Sequence, residues 1–149
     1  MTAFIGRREF ITLLGGAAVW PIVARAEQSE RSRNVGVLVG LREDDPDTQA
    51  RLVGLRAGLE RLGWSEGGNI RIHYRFAPPG TQTQVSAKEL VALQPDVLLG
   101  QASPATRALQ EATPTIPIVF VGVADPIGSG FVASLANPGG NTTCTAARF

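Results

Sequence analysis

Short apolar runs alternate with longer amphipathic segments along most of the chain. Three of the runs, NVGVLVG from Asn34, DVLLG from Asp96 and IPIVFVG from Ile116, are rich in valine, isoleucine and leucine and end in glycine. Runs of this length and composition are typical of strands that are buried on both faces. They predict three central strands of a parallel sheet.

The segment NIRIHYRF differs from these runs because its polar and apolar residues alternate strictly. One face would carry the apolar side chains of Ile70, Ile72, Tyr74 and Phe76, and the other Arg71, His73 and Arg75. In a parallel sheet only an edge strand leaves one face partly in water. The pattern therefore predicts an edge strand, with His73 at a solvated position.

The clearest helix is predicted between the first two strands. Asp45 is placed to cap it, Pro46 takes its first position and Gly63 follows its end. Leucines recur at spacings of three, four and three, which is one face of a helix: Leu52, Leu55, Leu59 and Leu62. We predict a helix over residues 46–62.

Three further helical segments are weaker. TQTQVSAKELVAL carries Val85, Leu90 and Leu93 roughly in helical register before Pro95. SPATRALQEAT opens with Ser103 as the predicted cap and Pro104 at the first helical position. GSGFVASLA, residues 128–136, predicts one or two helical turns.

Strands and helices thus alternate, which predicts an α/β fold with helices on both faces of a parallel sheet and right-handed crossovers. An edge second strand fits a doubly wound sheet of order 2-1-3-4. A fifth strand is expected beyond the fourth, but the residues that follow make it missing or weak.

Length and composition agree with one globular domain: the chain has 149 residues, of which 44% are apolar and 18% charged. A single cysteine, Cys144, cannot form an internal disulfide, and together with the single His73 it cannot build a metal site from soft ligands. We expect neither a metal nor another cofactor.

The first residues have the features of an export signal. Arg7 and Arg8 precede Phe10 and a weakly apolar stretch, and Ala24-Arg25-Ala26 has the spacing that signal peptidase accepts. The twin arginines favour the twin-arginine route. We predict a signal at residues 1–26, cleaved after Ala26, a periplasmic product and a flexible mature N-terminus at residues 27–33.

The alternative to a cleaved signal is a membrane anchor. The apolar stretch from Phe10 to Val23 contains two glycines and a proline and is shorter than the roughly 20 residues that span a bilayer. Cleavage would remove three of 14 basic and one of 13 acidic residues, leaving 11 and 12 and a net charge of −1. This balance gives no indication of a nucleic-acid partner.

Ligands of doubly wound sheets bind beyond the carboxyl ends of the strands, so the loops there are the candidate site. The start of the helix after Gln101, with the Ser103 hydroxyl, could receive a carboxylate; Ser103 could instead only cap the helix. Carboxylates on the other loops could accept hydrogen bonds from a ligand ammonium group: Asp44, Asp45 and Asp125. Two of them have structural alternatives, since Asp45 could cap its helix and Asp125 could fix its own loop.

Catalytic motifs are not found. The sequence has no GxSxG nucleophile elbow and no glycine-rich loop before a lysine, and GSG at residues 128–130 is too short to indicate a dinucleotide site. We therefore expect a protein that is not an enzyme.

The quoted segments, with GLRAGLERLGWSEGGNIRIHYRF and SPATRALQEATPTIPIVFVGVADPIGSGFVASLANPGGN, resemble the substrate-binding proteins of ABC transporters of the tryptophan/tyrosine uptake type. The resemblance covers roughly residues 7–141. It implies one lobe of a type I periplasmic binding fold, a small solute such as an amino acid, and an ABC permease in the inner membrane as partner. It also implies ligand contacts on the loops already named, at Leu41, Asp44, Asp45, Ala102, Ser103, Val123 and Asp125.

The resemblance ends after Asn141, where family members continue into a crossing strand and a second lobe. We therefore expect an N-terminal lobe at residues 34–141, an aberrant tail at residues 142–149, and a truncated chain that binds its ligand weakly. An unpaired edge along PIVFVG would then favour self-association.

Two other functions remain open. The same fold serves as an extracytoplasmic sensor, and a single-domain flavodoxin-like protein would have a similar strand order. A receiver domain of that type needs an aspartate at the end of the third strand, where this chain has Gly100 and Gln101.

Overall fold

A computed structural model describes residues 32–79 and 82–144. The predicted export signal, most of the predicted flexible N-terminus and the last five residues of the predicted tail lie outside these ranges. In the described part no helix is long and apolar enough to cross a membrane.

The elements alternate as the sequence predicts. The strands are β1 (Arg33–Val39), β2 (Ile70–Phe76), β3 (Val97–Gln101), β4 (Ile118–Val121) and β5 (Thr142–Cys144), and the helices are α1 (Pro46–Arg61), α2 (Thr83–Ala92) and α3 (Ser103–Ala112). All strands pair in parallel in the order β2-β1-β3-β4-β5. The predicted α/β class, strand order and edge position of β2 are confirmed.

Helix α1 forms for the reasons that the sequence indicates. The Asp45 carboxylate accepts hydrogen bonds from the amides of Asp47, at 2.8 Å, and Thr48, at 3.3 Å. Pro46 takes the first helical position, and Gly63 follows the helix with φ of 85°. Of the predicted leucine face, Leu52 is buried but Leu62 is 77% exposed, because the helix has ended before it.

Apolar side chains are buried on both sides of the sheet, but more of them are fully buried on one side than on the other. Helices α2 and α3 cover one side, which we call the closed face; its fully buried side chains include Leu38, Leu90, Leu98, Leu109 and Ile118. The other side, which we call the open face, is covered by α1. There Leu52 packs with Val37, Val39, Ile70 and Ile72.

The end of the chain departs from two predictions. Thr142–Cys144, assigned to an aberrant tail, form the short strand β5 and continue the sheet. Strand β4 is therefore not the predicted unpaired edge, since Ile118 pairs with Thr142 and Phe120 with Cys144. The Thr142 side chain stabilises this register because its hydroxyl accepts a hydrogen bond from Gln110 of α3 at 3.0 Å.

The helical turns predicted over residues 128–136 do not form. Left-handed Gly130, with φ of 73°, and a chain of turn hydrogen bonds, such as Ser129 N to Asp125 O at 3.1 Å, keep this segment in turns. Phe131 and Val132 are nevertheless buried, with the Phe131 ring 6.3 Å from that of Phe120, whereas Leu135 is 58% exposed. The segment lies on the closed face beside α3, where Gln110 donates to the Phe131 carbonyl.

Candidate functional site

Backbone hydrogen bonds connect the loops that follow β1, β3 and β4 at the points where the loops leave their strands. The Gly40 amide donates to the Gln101 carbonyl at 3.2 Å, and the Ala102 amide donates to the Val121 carbonyl at 3.0 Å. A Cβ at Gly40 would lie 3.0 Å from the Gln101 carbonyl oxygen, so a side chain here would crowd this approach. The structure thus brings the three predicted ligand loops to one edge of the sheet.

The start of α3 is the least ordinary backbone at this edge. Ala102 precedes the helix with φ of 71° and ψ of 161°, a region that is essentially restricted to glycine and costs about 1–3 kcal/mol for other residues. No side chain caps the helix. In the described part the Ser103 and Ala105 amides therefore have no acceptor, whereas Pro104 has no N–H and the Thr106 amide donates to the Ala102 carbonyl at 3.1 Å.

Ser103 does not cap the helix, contrary to the capping alternative. It is the first helical residue and Pro104 the second, because the positive φ of Ala102 moves the start of the helix one residue earlier. Its hydroxyl makes no hydrogen bond within the described ranges. The residue as a whole is half-buried.

The carboxylates at this edge differ in the hydrogen bonds that they already accept. Asp45 is the helix cap. Asp44 forms a two-point pair with the Arg42 guanidinium at 2.9 and 3.2 Å, and this hydrogen-bonded cation holds the pKa of Asp44 below its usual range. Asp125 accepts the Gly128 amide at 2.8 Å through Oδ1, which fixes its loop as the alternative interpretation predicts. Its Oδ2 atom is left without a hydrogen bond in the described part.

Leu41 and Val123 complete the set. Leu41 is half-buried and packs against the cluster of the open face, and this contact holds the first loop on the sheet. Val123 is half-buried in the third loop. All seven predicted residues therefore lie at the carboxyl edge or on its loops, but most of the carboxylate oxygens already have partners in this structure.

A cavity lies under this edge, on the open face. It has a volume of about 380 Å³ and is lined by Val37, Val39, Thr48, Arg51, Leu52, Leu55, Leu99, Gln101 and Val121. The cavity is not the predicted ligand site, because it is bounded by α1 and the strands rather than by the loops. Of the three loops, only the one after β1 borders the open depression lined by Arg42, Glu43, Asp44, Gln49 and Pro78.

Sequence reasoning missed two polar side chains in the cavity. Thr48 is 1% exposed and its Oγ1 atom has no hydrogen bond partner, and Gln101 is 8% exposed with an unpartnered Oε1 atom. The only signal in the sequence was a glutamine at the end of an apolar strand. In the described ranges no group of three or more histidine, cysteine, aspartate or glutamate side chains could hold a metal ion.

Comparison with known proteins gives the family. The model of the ABC transporter substrate binding protein family matches residues 34–146. The chain belongs to this family.

Two kinds of relative accompany this match. The Tyrosine-binding protein of Clostridioides difficile is 31% identical over 118 residues, covering 78% of this chain and 34% of the relative. Among solved structures, a conserved domain protein from Vibrio cholerae is 38% identical with a TM-score of 0.70. An ABC domain in complex with L-Trp from Streptococcus pneumoniae is 30% identical with a TM-score of 0.69.

The chain spans about a third of the curated relative's length, and it covers 38% of each of these two structures. What the family match describes here is thus one part of longer substrate-binding proteins.

Proposed function

We propose that residues 34–144 form one wall of an amino-acid site in an exported substrate-binding protein of an ABC uptake transporter. The observation that carries this proposal is the uncapped start of α3, held by the strained Ala102 at the edge where three loops meet. Family membership and relatives named for tyrosine binding or solved with L-Trp support an amino acid as ligand.

The proposed chemistry uses the two charged ends of an amino acid separately. The carboxylate binds the amides of the first turn of α3 and the Ser103 hydroxyl, because the helix dipole is positive there. The ammonium group approaches Asp125 Oδ2 and the Asp44 carboxylate. Leu41 and Val123 provide apolar contact for the side chain, and Asp45 and Ala102 hold the loops.

A binding role fits these groups better than catalysis. The loops offer hydrogen-bond acceptors, helix amides and apolar surface, which are the elements of solute recognition. Binding proteins with two lobes hold a ligand by closing around it, so one lobe buries only one side of it. We therefore expect millimolar binding by this lobe alone, and delivery to a permease only by a two-lobed form.

The proposal is tested by NMR titration of the exported form beginning at Glu27. Saturable shifts are expected with L-tyrosine or L-tryptophan at the amides of Ala102, Ser103, Ala105 and Thr106 and in the loops at residues 41–45 and 123–125. Tyrosine amide, which lacks the carboxylate, is the matched control and should leave residues 102–106 unchanged. Ser103→Ala should weaken binding severalfold without changing the fold. The proposal fails if neither amino acid shifts these amides while the spectrum is that of a folded protein.

A further inference from the structure

The loop after β4 begins with a compact turn, residues 125–131, which we call the third-loop turn. Its first residue is Asp125, one of the two carboxylates proposed to bind the ligand's ammonium group. The Gly128 amide donates to Asp125 Oδ1 at 2.8 Å. The Phe131 amide closes the turn by donating to the Pro126 carbonyl at 2.9 Å. The direction of the Asp125 carboxylate therefore depends on how the whole turn is held.

Gly128 fits closely against this carboxylate. A Cβ at Gly128 would overlap Asp125 Oδ2 and lie 2.8 Å from Asp125 Cγ. Alanine at this position would therefore displace the carboxylate. Because Gly128 makes no contact with a helix in the described part, this substitution moves Asp125 directly and leaves the attachment of the turn intact.

Two side chains of α3 hold the carboxyl end of the third-loop turn. Gln110 Nε2 donates to the Phe131 carbonyl at 3.0 Å, and the Arg107 guanidinium donates to the Ser129 carbonyl at 3.2 Å. The guanidinium also lies 5.2 Å from the centre of the Phe131 ring, within the range of a cation–π interaction. The turn is thus attached to β4 at one end and to α3 at the other.

Gln110 is the more buried of these two side chains, and it serves two acceptors. Its Nε2 atom also donates to Thr142 Oγ1 of β5 at 3.0 Å. Phe131 and Thr142 are 4% and 3% exposed, so water has little access to either residue. A carbonyl oxygen can only accept, so the amide nitrogen of Gln110 must face Phe131. A neutral group with two N–H donors satisfies both acceptors without burying a charge.

We propose that Gln110 is a positioning residue for recognition of the ligand's ammonium group. Through the Phe131 carbonyl it holds the third-loop turn, and the turn directs Asp125 Oδ2, which accepts no hydrogen bond in the described part. The start of the same helix carries Ser103 and the amides proposed to bind the ligand's carboxylate. One helix therefore sets the distance between the groups that bind the two ends of an amino acid. The inference rests on the proposed amino-acid site and names a residue outside it that determines its specificity.

A positioning role predicts a loss of discrimination rather than a loss of all binding. L-Tryptophan and indole-3-propionate share a carboxylate and an indole, and they differ only in the amino group. If the turn is released from α3, Asp125 no longer meets the ammonium group, and tryptophan should lose its advantage. Indole-3-propionate should bind as before. A merely structural role of Gln110 would weaken both ligands equally.

The experiment titrates the full chain and its variants with both ligands by NMR. In Gln110→Leu the ratio of the two affinities should fall by roughly threefold to tenfold, because an ammonium–carboxylate contact is lost. Gly128→Ala should lower the ratio by at least as much, since it displaces Asp125 directly. Gln84→Leu is the matched control, because Gln84 is exposed on α2 and should leave both affinities unchanged.

A measurement without ligand separates this inference from the amino-acid site. Solvent exchange of the Gly128 amide, measured by magnetisation transfer from water, reports its bond to Asp125. Exchange should be roughly tenfold faster in Q110L, because release of the turn opens this bond more often, and unchanged in Q84L. A native chain that binds neither ligand would refute the amino-acid site, whereas the exchange result would still decide whether Gln110 positions Asp125.

Circular dichroism checks that each variant is folded. If Gln110→Leu does not fold, Arg107→Leu replaces it, because Arg107 is exposed and holds the same turn; both readouts should then change in the same direction by a smaller factor. Three outcomes would overturn the inference. They are equal weakening of both ligands in the folded α3 variant, an unchanged affinity ratio in Gly128→Ala, and Gly128 exchange that is the same in the α3 variant as in Gln84→Leu.

Discussion

The two faces of the sheet differ in how fully their apolar side chains are buried. On the closed face Leu98 of β3 is 0% exposed and packs under α2 and α3. Its neighbour in sequence, Leu99, points to the open face and remains half-buried beside α1. The same strand therefore contributes a finished core on one side and an accessible apolar surface on the other.

This difference separates stability from recognition. The closed face holds the fully buried leucines and the turn segment after β4, so most of the apolar burial that stabilises the fold occurs there. The open face and the carboxyl edge hold the unpartnered polar atoms Thr48 Oγ1 and Gln101 Oε1 and the strained Ala102. Groups without partners are expected where a fold meets another molecule, because buried polar atoms cost free energy until they are paired.

The largest effect should come from the adjacent leucines of β3. Leu98→Ala leaves a cavity in a packed core and should lower the free energy of unfolding by about 3 kcal/mol, whereas Leu99→Ala should lower it by about 1 kcal/mol because water already reaches that side chain. Urea denaturation followed by circular dichroism measures both. Equal losses would mean that the open face is packed as tightly as the closed one.

Alanine substitutions at two glycines should change the free energy of unfolding in opposite directions. A Cβ at Gly100 would lie 3.0 Å from Thr106 Cα, so Gly100→Ala pushes α3 away from β3 and should cost about 2 kcal/mol. Gly54 lies in α1 with nothing within 4 Å of its Cβ position, and Gly54→Ala should stabilise by about 0.5–1 kcal/mol through helix propensity. Thermal unfolding of both variants tests this. A destabilising Gly54→Ala would show that α1 is more closely packed than its surroundings indicate.

The sequence predicted the elements whose signals are local. The alternation in residues 70–76 identified the edge strand, and Asp45, Pro46 and Gly63 bounded α1. It failed where packing decides. The apolar residues after Gly130 suggested a helix but lie in turns, and the positive φ of Ala102 makes Ser103 the first residue of α3 rather than its cap.

For the site, the sequence predicts which loops meet, because this follows from the topology, but not the contacts of their side chains. Parallel strands must end at one edge, so the three loops could be named in advance. Whether a carboxylate there is free is a matter of neighbours: Asp44 is paired with Arg42, and Asp125 bonds the Gly128 amide. The buried Gln101 could not be recognised from its residue type, because only the fold determines whether its oxygen finds a donor.

The smallest effect should come from Asp96, which lies at the amino edge and belongs to neither face. Its carboxylate accepts the Asn34 amide at 2.8 Å and the Arg33 guanidinium at 3.0 Å, and these bonds, the amide first, lower the pKa of Asp96. A lowered pKa in the folded state stabilises the fold above the unfolded pKa of about 3.9, and this contribution disappears as pH falls through the folded pKa. Since the Asp96 side chain is 40% exposed, solvent screening limits the gain to about 0.5 kcal/mol. Asp96→Asn should therefore be slightly less stable than the native chain at pH 7, and the two should converge in acid. A difference that persists at low pH would assign the effect to packing at the amino edge rather than to charge.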